Sequence, residues 1–482
     1  MAHLNKNQYL IGKFCPKKLY FDFHAKETPD AAAQQRMEEG RQVGEWARES
    51  FLDGVLMAER RHEEAVMQTR RLMADPGVSA IFEGAFEHGG LRVRPDILVR
   101  QGDAWDLIEV KSSTSVKEEH VEDVALTRHV VEASGVPIAA CRLRFLNKDF
   151  RLGTPRASLF VDGDVTEKAR FDPEETDDRV LKLLGVLEGP TPPEAPTGLH
   201  CRNCDHYGEC IPERHVLSLP NLRERKYGDL CALNVERIAD IPDRFSLTGT
   251  QARVRKAVVA GRPQVEPGLA DALRQVCYPL LFLDFESMQT AFPLYPDTAP
   301  YEQIPTQYSL HVLSEPEGEL SHREFLHESS TDPRRTLAEQ LLSDLGEAGS
   351  IVVYHQFEKV RISGLARGFP DLAPALNALL PRLYDLCDVI KQHCYHPEFE
   401  GSFSLKQTLP ALTQNLRYVD LNIQNGSAAT AAYREMIAPE TSPDRRQEIA
   451  QDLKAYCERD TLAMVRLYEA LYKASNSELG KR

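Results

Sequence analysis

The pattern of apolar and polar positions changes character three times along the chain. Residues 1 to about 75 read as helical, because Ala31 to Ala74 is rich in Ala, Glu, Gln, Arg and Met and poor in breakers. From Ala80 to Val110 the pattern turns to strands: Ala80-Ile-Phe-Glu-Gly-Ala-Phe86, Leu91-Arg-Val-Arg-Pro-Asp-Ile-Leu-Val99 and Asp106-Leu-Ile-Glu-Val110. Gly89-Gly90 between the first two is a hairpin signal. Helix is expected again over Glu118 to Ala133 and strand over Ile138 to Phe145. A helix crossing between strands predicts an α/β sheet of mixed direction.

The run Glu188-Gly-Pro-Thr-Pro-Pro-Glu-Ala-Pro-Thr-Gly198 is too proline-rich for an element interior and marks a boundary. A cysteine cluster follows, then a mostly helical connector to about residue 275. The last section opens on the apolar strand Tyr278-Pro-Leu-Leu-Phe-Leu-Asp-Phe-Glu286 and continues with strands near Tyr308 to Val312 and Ile351 to Tyr354, then helices. The expected organisation is a domain over 1–215, a connector over 216–275, a second domain over 276–474 and a frayed polar tail over 475–482.

Composition narrows the class. The chain has 482 residues, 42% hydrophobic and 27% charged, which suits a soluble multi-domain protein. No apolar run approaches the roughly 18 residues of a membrane span, and Met1-Ala2-His3-Leu4-Asn5-Lys6 has no apolar signal core, so the cytoplasm is the expected location. A net charge of −15 argues against coating nucleic acid by bulk electrostatics, though not against binding through metal ions and a few cations. Ten cysteines in such a chain call for metal-ligand spacing rather than disulfides.

Two acidic clusters carry the candidate chemistry. In the first, Asp96 is expected late in a strand after Pro95, and Glu109 and Lys111 share one face of a strand while Val110 packs behind. A turn centred on Gly89-Gly90 sets Glu83 opposite Asp96, roughly 5 Å apart at Cβ. Carboxylates at that spacing repel unless a cation lies between them, so Glu83, Asp96 and Glu109 are candidate ligands of a divalent metal. Lys111 would position water or steady charge on phosphate. A surface Glu and Lys on an ordinary strand is the bland alternative.

The cysteines follow a pattern of their own. Cys201-x2-Cys204-x5-Cys210 is a tight trio, and Cys15 lies near the other end of the first domain. Four thiolates suit an iron–sulfur cluster or zinc, with His200 and His206 keeping zinc open.

Pro95-Asp96 with Glu109-Val-Lys111-Ser-Ser resembles the RecB-type branch of the PD-(D/E)XK nucleases. The frame of Cys15, Cys201, Cys204 and Cys210 is similar to the iron–sulfur nucleases of the Cas4 and AddB kind. The resemblance implies a restriction-endonuclease-like sheet over residues 1 to about 215, and a 4Fe–4S cluster rather than zinc. The sequence departs from that branch twice. Gly44 stands where an early-helix histidine ligand is usual, so Glu83 would substitute, and Thr127 stands where a helix glutamine is usual.

In the second cluster, Asp284 and Glu286 share one face of an apolar strand, and Ile351-Val-Val-Tyr-His-Gln-Phe-Glu358 is expected as a strand whose end delivers Glu358. Tyr456 and Asp460 are four apart on a helix and so face one way. Four acids and a tyrosine suit two-metal phosphodiester hydrolysis, with Tyr456 orienting the water. This order resembles the DEDDy 3′–5′ exonucleases on an RNase H-like α/β fold, with Glu358 for the usual aspartate and His355 for an asparagine. The whole C-terminal half, including Pro300-Tyr-Glu-Gln-Ile-Pro305 and Gly401-Ser-Phe-Ser-Leu-Lys406, resembles the bacterial DUF2779 domain, whose usual neighbour is a RecB-like region. Lys406 reaches a phosphate or sits on a loop, and Asp385 is an accessory acid or, more readily, a helix N-cap.

Arg142, Arg144, Lys148, Arg151 and Arg156, interleaved with Phe145 and Phe150, are a candidate backbone-tracking, base-stacking edge, which Arg253, Arg255 and Lys256 would extend. The expected protein is a Mg2+- or Mn2+-dependent nuclease with two nuclease domains acting on DNA. RNA processing is one alternative. The other is a single active exonuclease domain beside an inactive, nucleic-acid-binding PD-(D/E)XK domain.

Overall fold

The expected strands after Ala80 form, but not as one continuous hairpin. In the computed structural model, which describes residues 3–25, 30–413 and 416–479, the chain divides into two compact units. The first comprises residues 1–196 with 289–302, and the second 197–288 with 303–482.

In the first unit, strands β1 (Gly54–Leu56), β2 (Ala80–Phe82), β3 (Phe86–His88), β4 (Leu91–Val93), β5 (Ile97–Gln101), β6 (Ala104–Lys111), β7 (Ile138–Leu146) and β8 (Phe160–Asp164) follow one another. Six make one mixed sheet in the order β1-β2-β5-β6-β7-β8, while β3 and β4 pair separately beside Leu4–Asn5. The break has a local cause. Glu83 takes a left-handed backbone conformation (φ 56°), and Pro95 opposite offers no amide hydrogen to a ladder. The pairing nevertheless keeps register across the break, and Glu83 N donates to Asp96 O at 3.2 Å. Asp96 thus stands at the kink just before β5, not late in a strand as expected.

Helix α1 (Lys6–Phe14) starts at a capping box made by Asn5 and Gln8, and α2 (Ala31–Arg48) at an Asp30 cap. Helix α3 (Glu118–Ala133) crosses between the parallel strands β6 and β7, as the pattern predicts. Residues 289–302 belong to this unit: Phe292 packs against Trp46 at 5.2 Å between ring centroids, and Ala291 is buried with Val43, Phe150 and Leu159.

In the second unit β9 (Leu280–Met288), β10 (Ile304–Leu313), β11 (Leu320–Leu326), β12 (Ser350–Val353) and β13 (Leu383–Asp385) form a sheet ordered β11-β10-β9-β12-β13. The first three run antiparallel, and β12 and β13 run parallel to β9. Helices α4 (Phe357–Gly368), α5 (Leu386–His393), α6 (Leu405–Leu412) and α7 (Pro443–Leu479) complete the frame. Strand alternation decides the faces of β9. Leu281, Leu283 and Phe285 enter one core with Tyr308, Leu310 and Ile351, while Leu280 and Phe282 meet Met464, Leu467 and Tyr468 of α7 in another. Burying Phe285 stabilises by about 2 kcal/mol and fixes which way its neighbours point.

Residues 197–215 and the connector pack in this unit, with Leu217, Leu219, Leu230 and Val254 inside its core, because their apolar side chains find cover there. Helix α7 carries the expected tail as far as Leu479, and 480–482 lie outside the described residues. No described helix is long and apolar enough to cross a membrane.

Candidate metal centre

Asp284 and Glu286 continue the face of β9 that α7 covers, and α7 supplies Asp460. One carboxylate oxygen from each of the three lies within 4.8 Å of the others. Glu358 joins from the first turn of α4, not from a strand end, and its carboxyl acts electrostatically on that of Asp284. Only 1% of Glu358 is exposed, and its Oε2 has no hydrogen-bond partner among the described residues.

Crowding of like charges sets the electrostatics. Burial, then Asp460, Glu358 and Glu286, push Asp284 far above the usual carboxylate range. Burial lifts Glu286 to about 8, with Asp460 adding and Lys406 opposing. Burial likewise lifts Glu358 to about 8 and Asp460 to about 6, the latter opposed by its hydrogen bond from Tyr418. Asp284 and Glu286 keep part of their surface open to solvent, so an ion can enter. Hard oxygen donors at this spacing suit Mg2+ or Mn2+.

Aromatic and cationic groups frame the acids. Tyr456, one helical turn before Asp460, accepts from Lys406 Nζ at 3.2 Å. Lys406 sits on α6 with its ammonium 5.1 Å from the ring centres of both Tyr418 and Tyr456, and it also donates to Gln424 O. Tyr418 OH donates to Asp460 Oδ1 at 2.5 Å. The segment before α6 needs Gly401, whose φ is 83° and whose Cβ would meet Ser218 O at 1.9 Å. Asp385 caps α5 by accepting from Asp388 N at 3.2 Å, and it also accepts from His355 N at 3.1 Å. Sequence reasoning missed Tyr418, which lies in a segment without periodicity.

The first acidic cluster gathers as expected but brings its own cations. Glu109 is fully buried, and Lys6 Nζ lies 2.9 Å from its Oε2 and 3.0 Å from Asp123 Oδ1. Lys111 pairs with the other Asp123 oxygen, Arg48 pairs with Glu83 at 2.7 Å, and Asp96 accepts from Val110 N at 2.6 Å. The Thr127 hydroxyl lies 2.9 Å from Glu109 Oε1 and 3.0 Å from Asp123 O, filling the place where the resemblance implies glutamine. Burial opposes the charge on Lys6, but Glu109, Asp123 and Asp96 outweigh it and raise its pKa. Burial lifts Glu109 to about 8 while Lys6 pulls it down. Lys6, Arg48 and Asp123 escaped the sequence reading. Asp123 left a signal, since Asp123 and Thr127 are polar residues one turn apart on the buried stretch of α3.

Cys201, Cys204 and Cys210 lie on successive short turns of the second unit, half-buried, with Cys201 and Cys210 packed against its core. Cys15 belongs to the first unit, where its sulfur accepts from Lys18 N at the start of Pro16–His24.

The cationic edge differs from its expectation. Arg142 pairs with Asp106, Arg144 with Asp162 at 2.7 Å, and Arg156 with Glu49 at 3.1 Å, while Arg151 bonds backbone carbonyls. Phe150 is 3% exposed, so it packs the core rather than stacking on a base. Arg253 and Arg255 are held by Glu266 and Asp243, while Lys148, Arg151, Arg156 and Lys256 are exposed. The acids that hold these arginines lie far away in sequence, so no local pattern announced them.

Residues 281–404 match the family described as Domain of unknown function (DUF2779). The chain carries this domain. The match takes in Asp284, Glu286 and Glu358 and ends two residues before Lys406, so Tyr456 and Asp460 lie beyond it. Among curated proteins, the chain is 27% identical over 205 residues to the Uncharacterized protein MG366 homolog of Mycoplasma pneumoniae, covering 38% of this chain and 31% of that protein. It is 22% identical over 204 residues to Uncharacterized protein MG366 of Mycoplasma genitalium, with the same two shares of 38% and 31%. To Uncharacterized protein UU173 of Ureaplasma parvum it is 23% identical over 208 residues, 38% of this chain and 30% of that protein. The chain thus spans about a third of the length of the curated relatives it matches.

Proposed function

We propose that this protein is a metal-dependent hydrolase of nucleic-acid phosphodiester bonds, acting on DNA, with its hydrolytic centre at Asp284, Glu286, Glu358 and Asp460. The observation that carries this reading is the convergence of three carboxylates within 4.8 Å, with Glu358 buried beside them. A nest whose acids hold protons well above their ordinary range is built for cations. Asp284, Glu286 and Asp460 would hold Mg2+ or Mn2+, which supplies a more acidic bound water and charge stabilisation on phosphate. Tyr418 orients Asp460 through a hydrogen bond, and Lys406, which donates to Tyr456, brings a positive charge to the rim where a phosphate oxygen would approach. The strand order and the covering helix are compatible with the RNase H-like frame implied by the DEDDy resemblance, and that resemblance, with its RecB-like neighbour, favours DNA.

One observation supports a narrower reading of the first unit. Lys6 already stands between Glu109 and Asp123. We therefore propose that the PD-(D/E)XK-like unit binds nucleic acid without cutting it. The three clustered thiols supply soft donors that fit iron–sulfur or zinc, and that group would hold the segment 197–215 in shape.

The test is cleavage of end-labelled DNA and RNA strands with Mn2+ by the full chain, Asp284→Asn and Lys111→Ala. Loss of cleavage in Asp284→Asn alone is expected. Loss in both variants would restore a second active site, faster RNA than DNA cleavage would change the substrate, and an inactive parent chain would overturn the reading.

A further inference from the structure

A second group of donors lies on the same sheet, apart from the acid nest. His311 of β10 stands directly opposite His322 of β11, with ring centroids 4.6 Å apart, and Glu458 reaches them from α7. One potential ligand atom from each of the three lies within 4.8 Å of the other two. Histidines in cross-strand pairs can simply fill a hydrogen-bonded core, so the protons decide.

Proton counting along the network gives both ring tautomers. Thr461 Oγ1 lies 3.1 Å from Glu458 O, a carbonyl that can only accept, so the Thr461 hydroxyl hydrogen goes there. The 2.8 Å contact between His311 Nδ1 and Thr461 Oγ1 must then take its hydrogen from the ring. By the same count the 2.7 Å contact between Ser309 Oγ and Thr461 Oγ1 uses the serine hydrogen. The 2.8 Å contact between His322 Nε2 and Ser309 Oγ is therefore donated by His322. His311 Nε2 and His322 Nδ1 stay outside these hydrogen bonds. The latter faces Glu458 Oε1 at 4.0 Å, a gap too wide for a hydrogen bond.

We propose that His311, His322 and Glu458 form a second cation site, selective for Zn2+ and its borderline neighbours over Mg2+. Two imidazoles with a carboxylate suit such ions, whereas Mg2+ prefers an all-oxygen shell. The far nitrogen of each ring is held by a hydroxyl, the arrangement that orients ligating histidines. Glu458 is exposed, which gives an ion a path in. Because Glu458 lies between Tyr456 and Asp460 on α7, an ion here ties the helix bearing those residues to β10 and β11. This inference does not depend on the hydrolase reading.

The experiment is zinc binding to the metal-stripped full chain by calorimetry, with total metal per chain counted after gel filtration. Variants are His322→Ala, Glu458→Gln, Cys204→Ser and Asp284→Asn, with folding checked by circular dichroism. The proposal expects one zinc equivalent to disappear, or its affinity to fall at least tenfold, in both His322→Ala and Glu458→Gln. That equivalent should persist in Cys204→Ser and in Asp284→Asn, and excess Mg2+ should not displace it. Glu458→Gln keeps shape and changes only an exposed side chain, so a folding defect in His322→Ala would not blur the answer. Unchanged zinc stoichiometry and affinity in Glu458→Gln would make the cluster a hydrogen-bond network only and overturn the proposal.

Discussion

Lys6 Nζ lies 2.9 Å from Glu109 Oε2, so a residue from the first helix neutralises a fully buried carboxylate of the central sheet. The pair explains how an acid cluster persists in this unit. Removing the ammonium leaves Glu109 buried without its partner, which costs about 3 kcal/mol where the carboxyl is ionised, above about pH 8. Lys6→Ala should lower the unfolding midpoint of the first unit in urea. Mn2+ should restore part of that loss in Lys6→Ala and do little for the parent chain. Equal Mn2+ effects on both proteins would show that Lys6 does not stand in for a metal.

The second nest makes a pH prediction of definite sign. Glu286 and Glu358 hold protons up to about 8 in the folded chain, against ordinary values near 4.5. Below the ordinary value both folded and unfolded chains are protonated, and the nest costs nothing. As pH rises, the unfolded chain loses these protons first, so the metal-free protein loses stability from about pH 4.5 and reaches the full penalty above about 8. Thermal melts in EDTA should fall across that window, and melts in Mn2+ should fall less. Metal binding at pH 7 should release protons, measurable by calorimetry in buffers of different ionisation heat. A flat melting profile in EDTA would rule out the raised carboxyl values.

What the sequence made legible follows physical range. The pairing of Asp284 with Glu286 needed only strand alternation, and that of Tyr456 with Asp460 only helical spacing. Glu83 opposite Asp96 followed from one turn, and the register survived a break that the sequence hid in a left-handed glutamate. Lys6 and Arg48 were out of reach, because their partners Glu109 and Glu83 lie across the fold rather than along an element. The same limit misled the reading of Arg142, Arg144 and Arg156. Their charge was visible in sequence, and the acids that cancel it were not.

Cysteine content offers an independent check. If the trio holds iron–sulfur or zinc, Cys204→Ser should lower metal per chain in anaerobically purified protein and expose the segment 197–215 to protease. The visible absorption of the parent chain separates iron from zinc. Metal content unchanged by Cys204→Ser would leave these as ordinary half-buried thiols.

Tyr418 gives the sharpest test of the acid nest, because its hydroxyl meets Asp460 and sequence alone did not single it out. The phenol donates to Asp460 and so favours the ionised carboxylate that a metal needs. Tyr418→Phe keeps the ring under Lys406 and removes only the hydrogen bond, so Asp460 should titrate at higher pH. Mn2+ affinity should fall by about tenfold, the size expected when a ligand loses its orienting partner. The loss should be larger at pH 6 than at pH 8.5, where Asp460 is ionised in both proteins. Calorimetric titration at the two pH values measures the difference. A loss of equal size at both would mean that Tyr418 shapes the pocket without tuning the acid.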